Sequence, residues 1–168
     1  MYNGGLTELK DAMNYILDYE TASKDNLQFS DKDKITIITF NSVVDKVFET
    51  KYGNNTKNVI KDIDSLEASG GTNIYDPVIR ALKILKNDSD SEYTKTVILM
   101  TDGYSNSGSF YDLKTYYDKN KETVPIYSIT FGSSDDYQLK DLAKLSNAKI
   151  FDGKSGLTRA FTEVRSYN

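Results

Sequence analysis

The feature that most restricts the fold of this chain is an alternation. Short runs of five or six apolar or β-branched residues recur, and segments with helical periodicity separate most of them. "ITIITF", "TVILM" and "IYSIT" are three such runs. A strand that is apolar at successive positions, not only at every second one, has to be covered on both faces. The segments between the runs supply the cover. "YDPVIRALKILKN" sets Val78, Ile79, Leu82 and Leu85 on one helical face, with Pro77 in the first turn, where its missing N–H matters least. "SFYDLKTYYDKNK" does the same with Phe110, Leu113 and Tyr117.

Further elements follow from the same periodicities. "LTELKDAMNYILDY" opens the chain as a helix on Leu6, Leu9, Met13, Ile16 and Leu17, with Thr7 or an earlier polar residue as its cap. "DKDKITIITF" reads as a strand buried on both faces, and "SVVDKVFETKYG" as an edge strand reached by a short hairpin. "TKNVIKDIDSL", "DYQLKDLAKLS" and "LTRAFTEVRSY" read as helices, and "AKIFDG" as a short last strand. The acidic stretch "KNDSDSEYTK" reads as a solvated connection. The order α, β, β, α, α, β, α, β, α, β, α predicts an α/β fold. Its form is a three-layer α/β/α sandwich on a doubly wound, mainly parallel sheet of about five strands, one of them an antiparallel edge. The 168 residues contain no repeat or linker, so one domain over residues 1–168 is expected.

Composition narrows the chemistry. There is no cysteine and no histidine. Thiolate and imidazole metal sites and the Ser-His-Asp triad are therefore excluded. Any metal must be held by oxygen, which favours magnesium, calcium or manganese. A net charge of −4 argues against a nucleic-acid partner. No apolar run approaches the roughly 20 residues that span a bilayer, so no membrane insertion is expected in this segment. "MYNGGLTELK" does not read as a signal peptide.

Two stretches carry candidate site residues. In an open α/β sheet, ligands bind at the carboxyl ends of the strands. Asp102 directly follows "TVILMT" and so sits at such an end. Thr72, in "SGGTNIYDP", stands between a glycine turn and a helix. Each also has a plain structural use, Asp102 in a turn or cap and Thr72 as a helix N-cap. One helix and one loop separate the two stretches, so a hydroxyl and a carboxylate can converge at one sheet edge as part of a hard-cation site.

In that order, "KITIITFNSVV", "SGGTNIYDPVIRALKIL", "VILMTDG" and "VPIYSITFGSSDDYQLKDLAKLSNAKIF" resemble the von Willebrand factor type A domain over nearly the whole chain. The resemblance implies a Rossmann-like doubly wound sheet and a metal-ion-dependent adhesion site built from three loops. The second loop supplies a threonine, matched by Thr72, and the third an aspartate, matched by Asp102. The implied cofactor in the complete domain is Mg2+, or Ca2+ or Mn2+ in its place. The implied partner is a protein that presents an Asp or Glu to the open coordination position. Gly70 and Gly71 then let the backbone pass close to the ion.

The family's first loop, Asp-x-Ser-x-Ser, does not occur; "DSDSE" and "DGYSNSG" have other spacings. In the family, that motif and its strand come just before the helix that opens this chain. A domain lacking its first, central strand is therefore expected, with metal binding weak or absent. "ITIITF" and "TVILM" are expected to lie adjacent or to flank a gap filled by a strand of another chain, and direct closure of the two is the favoured outcome for an isolated chain. Two other functions are open to the same residues. One is a metal-independent binding scaffold using the 13 tyrosines, which are enriched at interfaces. The other is phosphoryl transfer with Asp102 as nucleophile. Against the latter, Lys95 lies at the wrong end of its strand and no second Asp follows "VILM" at the usual spacing, so an enzyme is not expected.

Overall fold

The computed structural model describes residues 3–50, 53, 55–132 and 136–167. Its helices are α1 (Asn3–Leu17), α2 (Tyr19–Ala22), α3 (Lys57–Asp64), α4 (Tyr75–Asn87), α5 (Phe110–Asn120), α6 (Asp136–Ser146) and α7 (Leu157–Arg165). The strands are β1 (Ile35–Phe40), β2 (Val44–Thr50), β3 (Val97–Thr101), β4 (Ile126–Thr130) and β5 (Ile150–Asp152). The expected elements are all present. The short α2 and the 3-10 turn Ser23–Asp25 after it were not anticipated. Thr7 lies inside α1, four residues past its start, and so does not cap it.

Side chains of β3 and β4 alternate between two helical layers. Val97, Leu99 and Ile126 point towards α4, α5 and α6, where they meet Val78, Leu82 and Leu113. Tyr127 and Ile129 point the other way, towards Ile16 of α1 and Phe161 and Val164 of α7. Every residue of β4 is buried. Strands β3, β4 and β5 pair in parallel, with Val97 opposite Ile126 and Ser128 opposite Ile150. Strand β2 folds back antiparallel on β1, with Ile35 opposite Thr50. The architecture is the expected α/β sandwich, but the strands form two separate sheets, β1–β2 and β3–β4–β5.

This corrects two expectations. Strands β1 and β3 do not close up and pair. Consequently β1 is not buried on both faces: its six residues are all half-buried or exposed. Between the two strands lies a cavity of about 1520 Å3, lined by all of β1 and all of β3. The segments at both ends are linked by contacts that need no strand pairing. At the amino end, Lys34 pairs with Asp88 at 3.0 Å and Asp90 at 3.4 Å, from the connection that follows α4. Lys34 also sits 4.4 Å from the centre of the Tyr93 ring. The acidic connection is thus tied to the ahead-of-β1 segment. At the carboxyl end, three loops are knitted together, and they carry the candidate site.

Candidate cation-binding edge

The three loops are residues 41–43 after β1, residues 69–74 before α4, and residues 102–109 after β3. The middle loop is clamped between the others. Thr72 C=O accepts hydrogen bonds from Asn106 N–H at 2.9 Å and Ser107 N–H at 3.2 Å. Ser105 Oγ and Ser107 Oγ also donate to it, each at 3.2 Å. Thr72 N–H donates to Asn106 Oδ1 at 3.1 Å. On the other side, Asn73 N–H donates to Asn41 C=O at 2.8 Å and Gly71 N–H to Ser42 Oγ at 2.8 Å.

The glycine pair makes this clamp possible. Gly70 has φ of +72°, a left-handed conformation that favours glycine. A Cβ on Gly71 would stand 2.4 Å from Asn106 Oδ1 and 3.0 Å from Ser42 Oγ, too close for any side chain. The backbone therefore passes between its neighbouring loops only because residue 71 has no side chain.

Thr72 is not the helix cap. That work is done by Asn73, which is 2% exposed. Asn73 Oδ1 accepts from Tyr75 N–H and Asp76 N–H, each at 3.1 Å, the second and third donors that an N-cap oxygen satisfies. Asn73 Nδ2 donates to Asp76 Oδ2 at 2.7 Å and to Ser42 C=O at 3.3 Å. With the cap supplied next door, Thr72 Oγ1 has no hydrogen-bond partner among the described residues. It faces the turn after β3: a Cβ on Gly103 would stand 3.5 Å from it. Asp102 opens that same turn, half-buried, and its carboxylate engages no hydrogen bond or ion pair among the described residues. Thr101 Oγ1 instead makes the turn's local bonds, to Gly103 N–H and C=O. Thr72 and Asp102 both line the carboxyl end of the cavity between β1 and β3.

A hydroxyl and a carboxylate are donors of the kind a hard divalent cation takes. They fit in kind and are short in number, since magnesium asks for six oxygens in near-ideal octahedral geometry. No cluster of three acidic side chains occurs among the described residues. Lys95, the lysine weighed for phosphate contact, lies at the opposite edge, where Nζ donates to the carbonyls of Leu85 and Asp88.

No sequence motif marks the residues that fasten Thr72. The spacing of Ser105 and Ser107 does not match Asp-x-Ser-x-Ser, yet their hydroxyls donate to the Thr72 carbonyl. Gln138 on α6 grips the same loop, accepting from Ser105 N–H at 2.7 Å and donating to Ser105 C=O at 3.0 Å. The available signal was the density of Ser and Asn in "DGYSNSG", residue types that bond to backbone in turns. Tyr104 on the third loop, Tyr111 at the start of α5 and Tyr137 at the start of α6 stand exposed, at 56%, 75% and 69%. Beneath them, burial raises the Tyr75 phenol above its ordinary value, with Tyr104 and Asp141 adding to the effect.

The family model of the von Willebrand factor type A domain matches residues 1–163. A von Willebrand factor A domain-containing protein of Dictyostelium discoideum is 31% identical over 115 residues, covering 66% of this chain and 12% of that protein. Among solved structures, a von Willebrand factor type A protein from Catenulispora acidiphila superimposes with a TM-score of 0.69 at 16% identity, over 95% of this chain and 37% of that one. Proximal thread matrix protein 1 of the mussel byssus, solved with a zinc-occupied MIDAS motif, gives a TM-score of 0.64 at 18% identity, over 95% of this chain and 42% of that one. The chain thus spans well under half of each of these proteins.

Proposed function

Because this chain belongs to the von Willebrand factor type A family, whose domains are generally non-enzymatic protein-interaction modules, we propose that it binds a protein partner through the carboxyl edge of its sheet. In this reading Thr72 and Asp102 are the chain's own contribution to a divalent-cation site. The observation that carries it is the division of labour between adjacent residues: Asn73 caps α4, and among the described residues the Thr72 hydroxyl is left without a hydrogen-bond partner beside an equally unengaged Asp102. Three exposed tyrosines around the same edge support a protein partner, because tyrosine is enriched in interface cores. A bound cation would supply an open coordination position for an Asp or Glu of that partner. The chain's own residues hold the two oxygens in place, through the clamp on the Thr72 carbonyl and the turn bonds of Thr101.

Two oxygens alone make a weak magnesium site. The test is calorimetry with Mg2+ on the chain as it stands and on a version with a strand ending in Asp-x-Ser-x-Ser joined ahead of it. Weak or undetectable binding is expected for the first and measurable binding for the second, lost again in Asp102→Ala. Arrays of acidic peptides should then bind the extended version in Mg2+ and release in chelator. Micromolar affinity in the unextended chain, or retention of binding in Asp102→Ala, would overturn the assignment.

A further inference from the structure

The fold buries Tyr75 but leaves its hydroxyl unused. The residue is 7% exposed, and its ring packs against Phe110 with centroids 6.2 Å apart. A buried phenol O–H usually finds a hydrogen-bond partner; this one has none among the described residues. Two groups lie against it. Tyr104, on the loop after β3, and Asp141, on α6, both add to the rise of the Tyr75 phenol above its ordinary value. The Asp141 carboxylate is half-buried and likewise engages no hydrogen bond or ion pair among the described residues. Lys140 is its neighbour on α6, but adjacent helical residues do not face each other. Gln138 holds both the N–H and the C=O of Ser105, which brings Tyr104 and Tyr137, the residues just before each, near one another. Tyr137 and Asp141, four apart, share a face of α6. Helix α6 rests on β4 and β5, so this cluster lies beside β4 and away from β1.

Resting on the reading of this edge as a protein-binding surface, we propose that Tyr75, Tyr104, Tyr137 and Asp141 form a seat for an arginine side chain of the partner. The phenol oxygen and the carboxylate are acceptors without donors. A guanidinium is all donor, five N–H groups in one planar fork, so a single side chain can meet both. The exposed rings of Tyr104 and Tyr137 offer faces on which a flat cation stacks. A lysine ammonium, a strongly hydrated point charge, gains less from such faces. Charge points the same way: Asp112 and Asp136, in the first turns of α5 and α6, add negative charge around the seat. The partner thus presents two unlike charges to this edge, a carboxylate at Thr72 and Asp102 and an arginine at Tyr75 and Asp141.

The test is an NMR titration of the full chain with acetyl-arginine amide in the presence of chelator. Without a cation, the arginine seat can fail while the cation assignment stands, and the reverse. Backbone amide signals of Tyr75, Tyr104, Gln138 and Asp141 should shift saturably together. Acetyl-citrulline amide, of the same shape without the charge, should leave them in place, and acetyl-lysine amide should bind more weakly than the arginine compound. Tyr75→Phe, which keeps the buried ring and removes the hydroxyl, and Asp141→Asn should each weaken arginine binding about fivefold. If one of these variants does not fold, the other decides. Equal shifts with citrulline or lysine, shifts that scatter over the acidic surface without saturating, no shift at all, or unchanged binding in the folded variants would overturn the proposal.

Discussion

Replacing Asn73 with alanine tests the division of labour on which the site reading depends. The change removes an oxygen that accepts from two first-turn N–H groups and a nitrogen that donates to Asp76 and to the Ser42 carbonyl. Loss of an N-cap costs ~1 kcal/mol, within a range of about 0.5–2. Because residue 73 is 2% exposed, its former partners are not readily rehydrated, and each buried group left unpaired adds about 1–3 kcal/mol. A total of roughly 2–4 kcal/mol follows if one such group stays unpaired. For a chain of this length each kcal/mol moves the midpoint by about 2–4 °C, so Asn73→Ala should melt on the order of 10 °C lower. Thr72→Val removes only a hydroxyl with no partner among the described residues, and should stay within about 0.5 kcal/mol of the parent. Thermal unfolding by circular dichroism, with urea midpoints at unchanged slope, measures both. If Thr72→Val melted as low as Asn73→Ala, the hydroxyl would be a structural cap and the case for a free ligand at residue 72 would collapse.

Gly71→Ala forces a Cβ to within 2.4 Å of Asn106 Oδ1; chemical denaturation should show a loss of about 1–3 kcal/mol from the overpacked clamp. Acid titration of stability should show a contribution from Asp88. Its carboxyl is held below the ordinary 3.8, first by the Asp90 N–H and then by Lys34, so the contribution is present above 3.8 and disappears as pH falls through the lower folded value. Asp88→Asn should flatten that limb; an unchanged acid limb would show that the link between β1 and the loop after α4 carries nothing.

The sequence by itself determined which segments became strands and helices, because periodicity records how many faces of an element must be covered. Runs such as "IYSIT", apolar at successive positions, need cover on both sides; "YDPVIRALKIL" needs it on one. It also determined the chemistry on offer, since a chain without histidine or cysteine has only oxygen for a hard metal. Thr72 and Asp102 could be put forward from sequence because both sit at ends of strongly patterned elements. What only the tertiary structure decided were relations between distant segments. Periodicity in β1 requires two covered faces but does not say which strands pair, and here β1 pairs with β2 and not with β3. The cap of α4 was undecidable in the same way. Both Thr72 and Asn73 can cap by residue type, and the choice fell to Asn73 because Ser42, Ser105, Ser107 and Asn106, between 29 and 35 positions away from their partners on the loop, fix the backbone so that the carboxamide meets the helix and the hydroxyl meets the turn at Asp102.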